Sequence, residues 1–253
     1  MARLFSMPKR LAFLILMLCG LGLGVPAAIV AQDVLTMDNE EQKDFLTNFV
    51  QDRLSTPERQ IRISNIEGIL GSDVSVREIT ISDQEGVWLR INNARLTWNQ
   101  GALLFGRLEV SALTADSIDY IRNAVPAEGV DLPPAEAGTL QIPDFPVAII
   151  LQQLSVPSVT FGENVFGLGS QISLAGGFTL DSGNLTANLD VVRLDGPGGT
   201  LDLDLAYTGG DNSIDLGMSL VEPEDGVIAN LLNIENRPAV TLTLNGAGPV
   251  ADL

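Results

Sequence analysis

Leu201-Asp202-Leu203-Asp204-Leu205-Ala206-Tyr207, then a Gly209-Gly210-Asp211-Asn212 turn, then Ile214-Asp215-Leu216-Gly217-Met218-Ser219-Leu220, is the stretch that decides the fold. Its apolar residues recur at every second position, the period of a strand with one face hidden and one face wet. The turn between the two runs is short and glycine-rich, so the pair reads as an antiparallel hairpin. The same alternation extends on both sides. Leu185, Ala187, Leu189 and Val191 precede it after an Asp181-Ser182-Gly183-Asn184 turn, and Ile172, Leu174 and Phe178 share a face before that. Val240, Leu242 and Leu244 follow, opposed by Thr241, Thr243 and Asn245.

Towards the N-terminus the alternation is less regular. Ile61 and Ile63 alternate, then Val74 and Val76, then Ile79 and Ile81 on the opposite parity, which predicts a bulge near Arg77-Glu78. Val87, Leu89 and Ile91 form one set, Ala94, Leu96 and Trp98 the next, and Leu108, Val110 and Ala112 another. On this reading Trp88 and Trp98 lie in paired strands as core or rim residues. Ala102-Leu103-Leu104-Phe105 reads as a helical turn or a loop tucked against the sheet. The one convincing helix of the second half is carried by Val227, Ile228, Leu231 and Leu232, in the stretch Asp225 to Ile234.

Arg3, Lys9 and Arg10 precede an uncharged stretch from Leu11 to Gln32. As a helix it would reach about 33 Å, enough for a hydrocarbon core of about 30 Å. Leu11, Phe13, Leu14, Leu16 and Leu18 are its anchoring side chains, and the basic flank is expected to stay cytoplasmic. The rival is a cleaved signal peptide, for which Ala28 to Ala31 offers a site; length and flank favour the retained anchor. Asp38 caps a following amphipathic helix whose stripe is Phe45, Leu46, Phe49, Val50 and Leu54, and Ser55-Thr56-Pro57 stops it.

The expected organisation is therefore a basic tip and membrane anchor over 1–32, an amphipathic helix over 33–57, and a first sheet part over 58–124. A Pro-rich linker or insertion follows over 125–146, then a second sheet part over 147–253 that reads as cut short at Ala251-Asp252-Leu253. Fold class is mainly β: a long curled antiparallel sheet with an open apolar groove.

The chain has 253 residues with 14 basic and 32 acidic side chains, no His and one Cys, for a net charge of −18. Only Arg193 and Arg237 lie beyond residue 122. That excess argues against nucleic-acid binding, which needs clustered cations to replace counterions. The lack of His removes Ser-His-Asp triads and most zinc sites. The lone Cys19 excludes an intrachain disulfide. Asp195-Gly196-Pro197-Gly198-Gly199 lacks the Lys-Ser/Thr of a phosphate loop, and Asp211, Asn212 and Asp215 lack the spacing of a calcium loop. Asp202 and Asp204 form a carboxylate pair on one strand, but their neighbours are Leu, Thr and Gly, so a solvated face is the better reading. Neither catalysis nor a cofactor or metal is expected. Leu174, Phe178, Leu185, Leu189, Leu201, Leu203, Leu205, Leu216, Met218, Leu242 and Leu244 are the candidate groove-lining residues.

Gly71-Ser72-Asp73-Val74 through Arg77-Glu78-Ile79-Thr80-Ile81-Ser82-Asp83 resembles the N-terminal part of the TamB family, inner-membrane subunits of the translocation and assembly module. Gly86-Val87-Trp88, Leu96-Thr97-Trp98, Leu103-Leu104-Phe105-Gly106 and Leu108-Glu109-Val110 carry the same likeness. So do Pro143 to Phe161, Asn236-Arg237-Pro238-Ala239 and Thr241 to Gly246. The family belongs with AsmA-like bridge proteins. The resemblance implies a single-pass inner-membrane protein with its bulk in the periplasm, whose sheet carries phospholipid acyl chains and supports protein insertion into the outer membrane. It also implies an outer-membrane barrel partner, met through a C-terminal region that has no counterpart here. The alternative is a secreted, β-rich adhesin or autotransporter-like protein with a cleaved signal.

Overall fold

A computed structural model describes residues 55–56, 59–68, 71–125, 145 and 147–250. The expected anchor with Leu11, Phe13, Leu14, Leu16 and Leu18, the amphipathic helix over 33–57 apart from Ser55 and Thr56, and most of the Pro-rich stretch lie outside the described residues. Among the described residues no helix is long and apolar enough to cross a membrane.

Among the described residues eleven strands form one sheet. They are β1 (Gln60–Glu67), β2 (Asp73–Asp83), β3 (Gly86–Asn99), β4 (Arg107–Thr114), β5 (Ser117–Tyr120), β6 (Ala148–Phe161), β7 (Ser170–Asp181), β8 (Asn184–Arg193), β9 (Thr200–Thr208), β10 (Ser213–Glu222) and β11 (Val240–Pro249). Spatial order follows chain order, with β4 and β5 sharing the place between β3 and β6. Both halves of the sequence thus belong to the same sheet. Among the described residues, short helical pieces interrupt it at Gln100–Phe105 (a 3-10 turn), α1 (Glu163–Phe166) and α2 (Val227–Leu231).

One junction departs from the expected antiparallel order. β4 and β5 both run parallel to β6. A parallel join cannot be made by a tight turn, because the chain must travel back along the strand, which takes about a dozen residues or more. Residues 121–147 connect β5 to β6, so the Pro-rich stretch within them supplies the length that this topology demands.

The expected bulge at Arg77-Glu78 is absent. Val76 and Ile79 do both belong to the apolar side, yet the register of β2 with β1 and β3 is unbroken there. The reason is that the neighbours change parity at the same level. Ile63 and Ile66 flank Asn65 on β1, and Ile91 and Ala94 flank Asn92-Asn93 on β3. Asn65 and Asn93 take left-handed backbone (φ 53° and 50°), which asparagine tolerates better than most residues. This crease therefore joins Gly86–Asn99 into one strand, so Trp88 and Trp98 share β3 instead of pairing across two strands. The Asn93 amide donates to Asp116 Oδ2 (2.8 Å), and the Asn92 amide to Ser117 Oγ (2.9 Å), at the break between β4 and β5. On β6 the same line passes through Pro157-Ser158. β7 does not change parity, so there the crease ends as a register shift between Val156 and Val159.

A second, shorter crease crosses β4 and β6 only. It makes Leu113 the residue facing Leu154, so Leu113 takes the place expected for Ala112. Its β6 side bulges against β7 between Leu151 and Leu154, and Gly177 accommodates it. A Cβ there would lie 2.8 Å from Leu151 O and 2.9 Å from Gln152 O.

The core lies at the end of the sheet where β1 begins. Ile61, Ile81, Trp88, Leu89, Ile91, Ala115, Ile118, Val156, Val159 and Phe161 are buried together, with Val165 and Phe166 packed against them. Full burial of such side chains contributes about 1.5–3 kcal/mol each. Trp88, Tyr120, Phe161 and Phe166 form a ladder of rings with centroids 5.7, 5.9 and 5.0 Å apart. At the other end the 3-10 turn is not tucked in. Only Ala102 of it is buried, while Leu104 and Phe105 are 87% and 77% exposed.

Ion pairs made by Arg122 and Arg193 tie the core end. The Asp83 side chain, 2% exposed, accepts both Arg122 terminal nitrogens (one at 2.9 Å) and the Val125 N–H (2.8 Å). The Arg122 guanidinium holds its carboxyl well below the usual carboxylate range, against the desolvation that raises it. Arg193 contacts Asp195 (3.0 Å) and Glu222 (3.6 Å). Glu222 in turn accepts the Val227 and Ile228 N–H groups and so caps α2. The helix expected within the stretch Asp225 to Ile234 spans Val227–Leu231.

Asp83 has a depressed folded pKa. Its stabilisation is present above the ordinary aspartate value of about 3.9 and is lost as pH falls below it. Asp83→Ala leaves Arg122, at a mostly buried position, with only the exposed Glu85 at 4.0 Å as a carboxylate partner and should cost about 3 kcal/mol at neutral pH. Urea denaturation at pH 7 and below about pH 4 checks both, since the difference between variant and parent should shrink in acid. Gly177→Ala should also destabilise, by about 1–3 kcal/mol, because backbone oxygens occupy the space; the same titration reads it.

Candidate functional site

Cross-strand registers show which side chains share a face, because directly paired residues point the same way. Ile172 on β7 faces Arg193, but from Leu174 onward the pairs are apolar: Leu174 with Val191, Phe178 with Ala187, and Leu180 with Leu185. On the next ladders Leu185 faces Tyr207, Leu189 faces Leu203, and Leu205 faces Leu216. Leu201 faces Leu220, Leu203 faces Met218, and Met218 faces Leu244. Leu220 also faces Leu242. All eleven candidate residues named from the sequence therefore lie on one side of the sheet.

The same side continues through the first half. Ile149, Leu151, Leu154, Val156 and Val159 carry it across β6. Leu108, Val110 and Leu113 carry it on β4, and Ile118 on β5. Leu89, Ile91, Leu96 and Trp98 continue it on β3, as do Ile79 and Ile81 on β2 and Ile61 and Ile63 on β1. The β6 members escaped the sequence reading because Gln152-Gln153 and Pro157-Ser158 break the period of two. Those doublets, each a pair of consecutive polar or Pro residues between buried ones, are the signal that would have revealed them.

The two halves differ in cover. Near β1–β6 the apolar side is closed over by the ring ladder, α1 and Ala124. Over β8–β11 most of it is half-exposed, with Leu242 and Leu244 40% and 38% exposed. All eleven described strands belong to the one sheet, so no second sheet covers this side among the described residues.

The opposite side carries the charge. Asp190 pairs with Asp202 and Asn188 with Asp204, and Asp215 lies opposite Ala206. A hollow of about 570 Å3 opens on this polar side, bordered by Gln152, Thr179, Thr186, Asn188, Asp204 and Asp215. Gly177 and Gly217 also border it, and neither has a side chain to fill it. Asp202 and Asp204 are exposed, as a solvated face requires. Asn212 accepts the Tyr207 hydroxyl (3.0 Å) and serves its turn. Asp195 accepts the Gln171 N–H and the Arg193 guanidinium. These hold its carboxyl below the usual range although desolvation, the largest influence on it, raises it. Both residues stabilise loops.

Chemically the arrangement is a broad apolar surface backed by an anionic one. Leu203→Asp places a carboxylate between Leu189 and Met218 and should lower the unfolding free energy by about 2 kcal/mol. Asp204→Leu changes a solvated side chain and should stay within about 0.5 kcal/mol of the parent. Equal losses in urea titrations of the two variants would refute the face assignment. Comparison with protein-family models, with curated proteins and with solved structures finds no match to this chain.

Proposed function

We propose that the chain is an inner-membrane-anchored, periplasmic β-groove protein of the TamB and AsmA-like type. In this reading its sheet curls into an apolar trough that carries phospholipid acyl chains. It has no catalytic role, and it supports phospholipid transport to the outer membrane and protein insertion there as part of the translocation and assembly module. The observation that carries the reading is the apolar side, kept in phase across the eleven described strands, interrupted at its core end by the Arg193–Glu222 pair, and left half-exposed over β8–β11. A water-soluble sheet has no physical reason to keep so large an apolar surface open, and such surfaces mark binding sites. The acidic opposite side supports the same orientation, since it would be repelled by anionic lipid surfaces and leaves the apolar side as the lipid-facing one. The uncharged stretch from Leu11 to Gln32 supports the anchor.

Recognition of this kind selects acyl chains over headgroups. Phospholipid should therefore co-purify with the full chain and be identified by mass spectrometry after extraction. Occupancy should vary little between low and high salt, because few cations are available to attract phosphate. It should fall in Leu203→Asp and persist in Asp204→Leu. A folded, lipid-free protein would overturn the reading, and release of a soluble product lacking residues 1–31 would favour the secreted alternative.

A further inference from the structure

Along β8–β10 the apolar side stops at one level. Val191, Leu201 and Leu220 stand in a row, paired directly through the ladders. One step further towards the core end, Arg193 and Glu222 take the places that the period of two gives to apolar residues. Gly199, just before β9, brings no side chain to this level, and its carbonyl accepts the Arg193 N–H (2.8 Å). A Cβ at Gly199 would lie 3.7 Å from Arg193 Cβ and 3.8 Å from Glu222 Cα. The two charged side chains thus reach each other across two strand spacings, about 10 Å, over the gap the glycine leaves.

Exposure is inverted at this level. The row of Val191, Leu201 and Leu220 is half-exposed, whereas the Arg193 and Glu222 side chains are only 8% and 6% exposed. Both charges are engaged. Asp195 accepts Arg193 Nε (3.3 Å) and Nη2 (3.0 Å), and Arg193 Nη1 lies 3.6 Å from Glu222 Oε1. Glu222 also accepts two N–H groups at the start of α2. Ala229 of α2 is fully buried, and the Asn230 amide donates to Phe166 O (2.8 Å), which ties α2 to α1.

A buried ion pair is weak evidence for stability, because apolar residues of similar volume often replace one at no loss. Its position at the end of a half-exposed apolar surface suggests a different use. We propose, resting on the lipid-carrying role above, that the Arg193–Glu222 pair is a stop. Acyl chains lie along β8–β10 and end against it, so the pair sets the chain length that the trough accepts. A chain that passed this level would have to part the two charges or lift α2 from them, and either leaves a buried charge without its partner. At the other end of the row stands Tyr207, buried and hydrogen-bonded to Asn212 (3.0 Å). From Leu201 to Tyr207 the apolar side of β9 runs about 20 Å.

The full chain can be loaded from mixed micelles holding equal amounts of dimyristoyl- and distearoyl-phosphatidylcholine, and the bound lipids quantified by mass spectrometry after extraction. The parent should favour the shorter lipid. Arg193→Met/Glu222→Met removes both charges at similar volume and should shift the bound ratio at least about fourfold towards the longer one, the equivalent of one further buried methylene at about 0.8 kcal/mol. Leu201→Trp advances the stop by one row, at a strand position that suits an aromatic residue, and should shift the ratio the other way. Asn230→Ala loosens α2 from α1 without touching the pair and should leave the ratio as in the parent. An unchanged ratio in the double variant, folded by circular dichroism, overturns the proposal, and so does an equal shift in Asn230→Ala. If the double variant does not fold, the direction of the Leu201→Trp shift decides. A parent that binds neither lipid overturns the lipid-carrying role itself, whereas a parent that binds both equally overturns the stop alone.

Discussion

A sheet this wide must keep the apolar residues of every strand on the same side. The side-chain period of a strand is two, so a single uncompensated slip would turn the remainder of that strand inside out. The chain meets this by making neighbouring strands slip together. Asn65, Arg77 and Asn93 stand level on β1, β2 and β3, the break at Ala115-Asp116 continues the line, and Pro157-Ser158 completes it on β6. Where a strand does not follow, as on β7, a bulge absorbs the difference. The left-handed asparagines and the glycine at position 177 are the local conditions that let the apolar side stay continuous.

Cohesion is concentrated at one end. The buried cluster, the ring ladder and the Asp83–Arg122 pair all lie where β1 starts, and Glu222 caps α2 at the same end of its strand. Several of these contacts pin loops onto the sheet: Arg122 and Val125 bind the β2–β3 turn, and Asp195 binds the start of β7. The opposite end is held mainly by hairpin turns such as Ser182-Gly183, with positive φ at both positions. The second half of the sheet, β8 to β11, is stabilised by ladders and by side-by-side contact of Leu, Ile and Met, with little above it.

For the lipid-carrying role proposed above, the buried end would hold the strand registers, and the half-exposed stretch over β8–β11 is where acyl chains would lie without displacing a packed layer. The scarcity of cations beyond residue 122 bears on selectivity, because Arg193 and Arg237 are both engaged with carboxylates. Neither is left to fix a phosphate headgroup.

Much of this was legible in the sequence. Strict alternation over Leu185–Val191, Leu201–Tyr207 and Ile214–Leu220 determined both the strands and their two faces, since a regular period of two needs no tertiary information to be read. The Ser182-Gly183 turn and the solvated Asp202 and Asp204 followed from local backbone preference and charge. Tertiary structure alone decided the rest. It merged two apparent strands into β3, because a parity change is a strand end in sequence but a crease when the neighbours change too. It set β4 and β5 parallel to β6, because pairing direction depends on where a long connection returns. It brought β6 into the apolar surface despite Gln152-Gln153 and Pro157-Ser158, because those residues face outward only where a neighbouring strand bends with them or bulges.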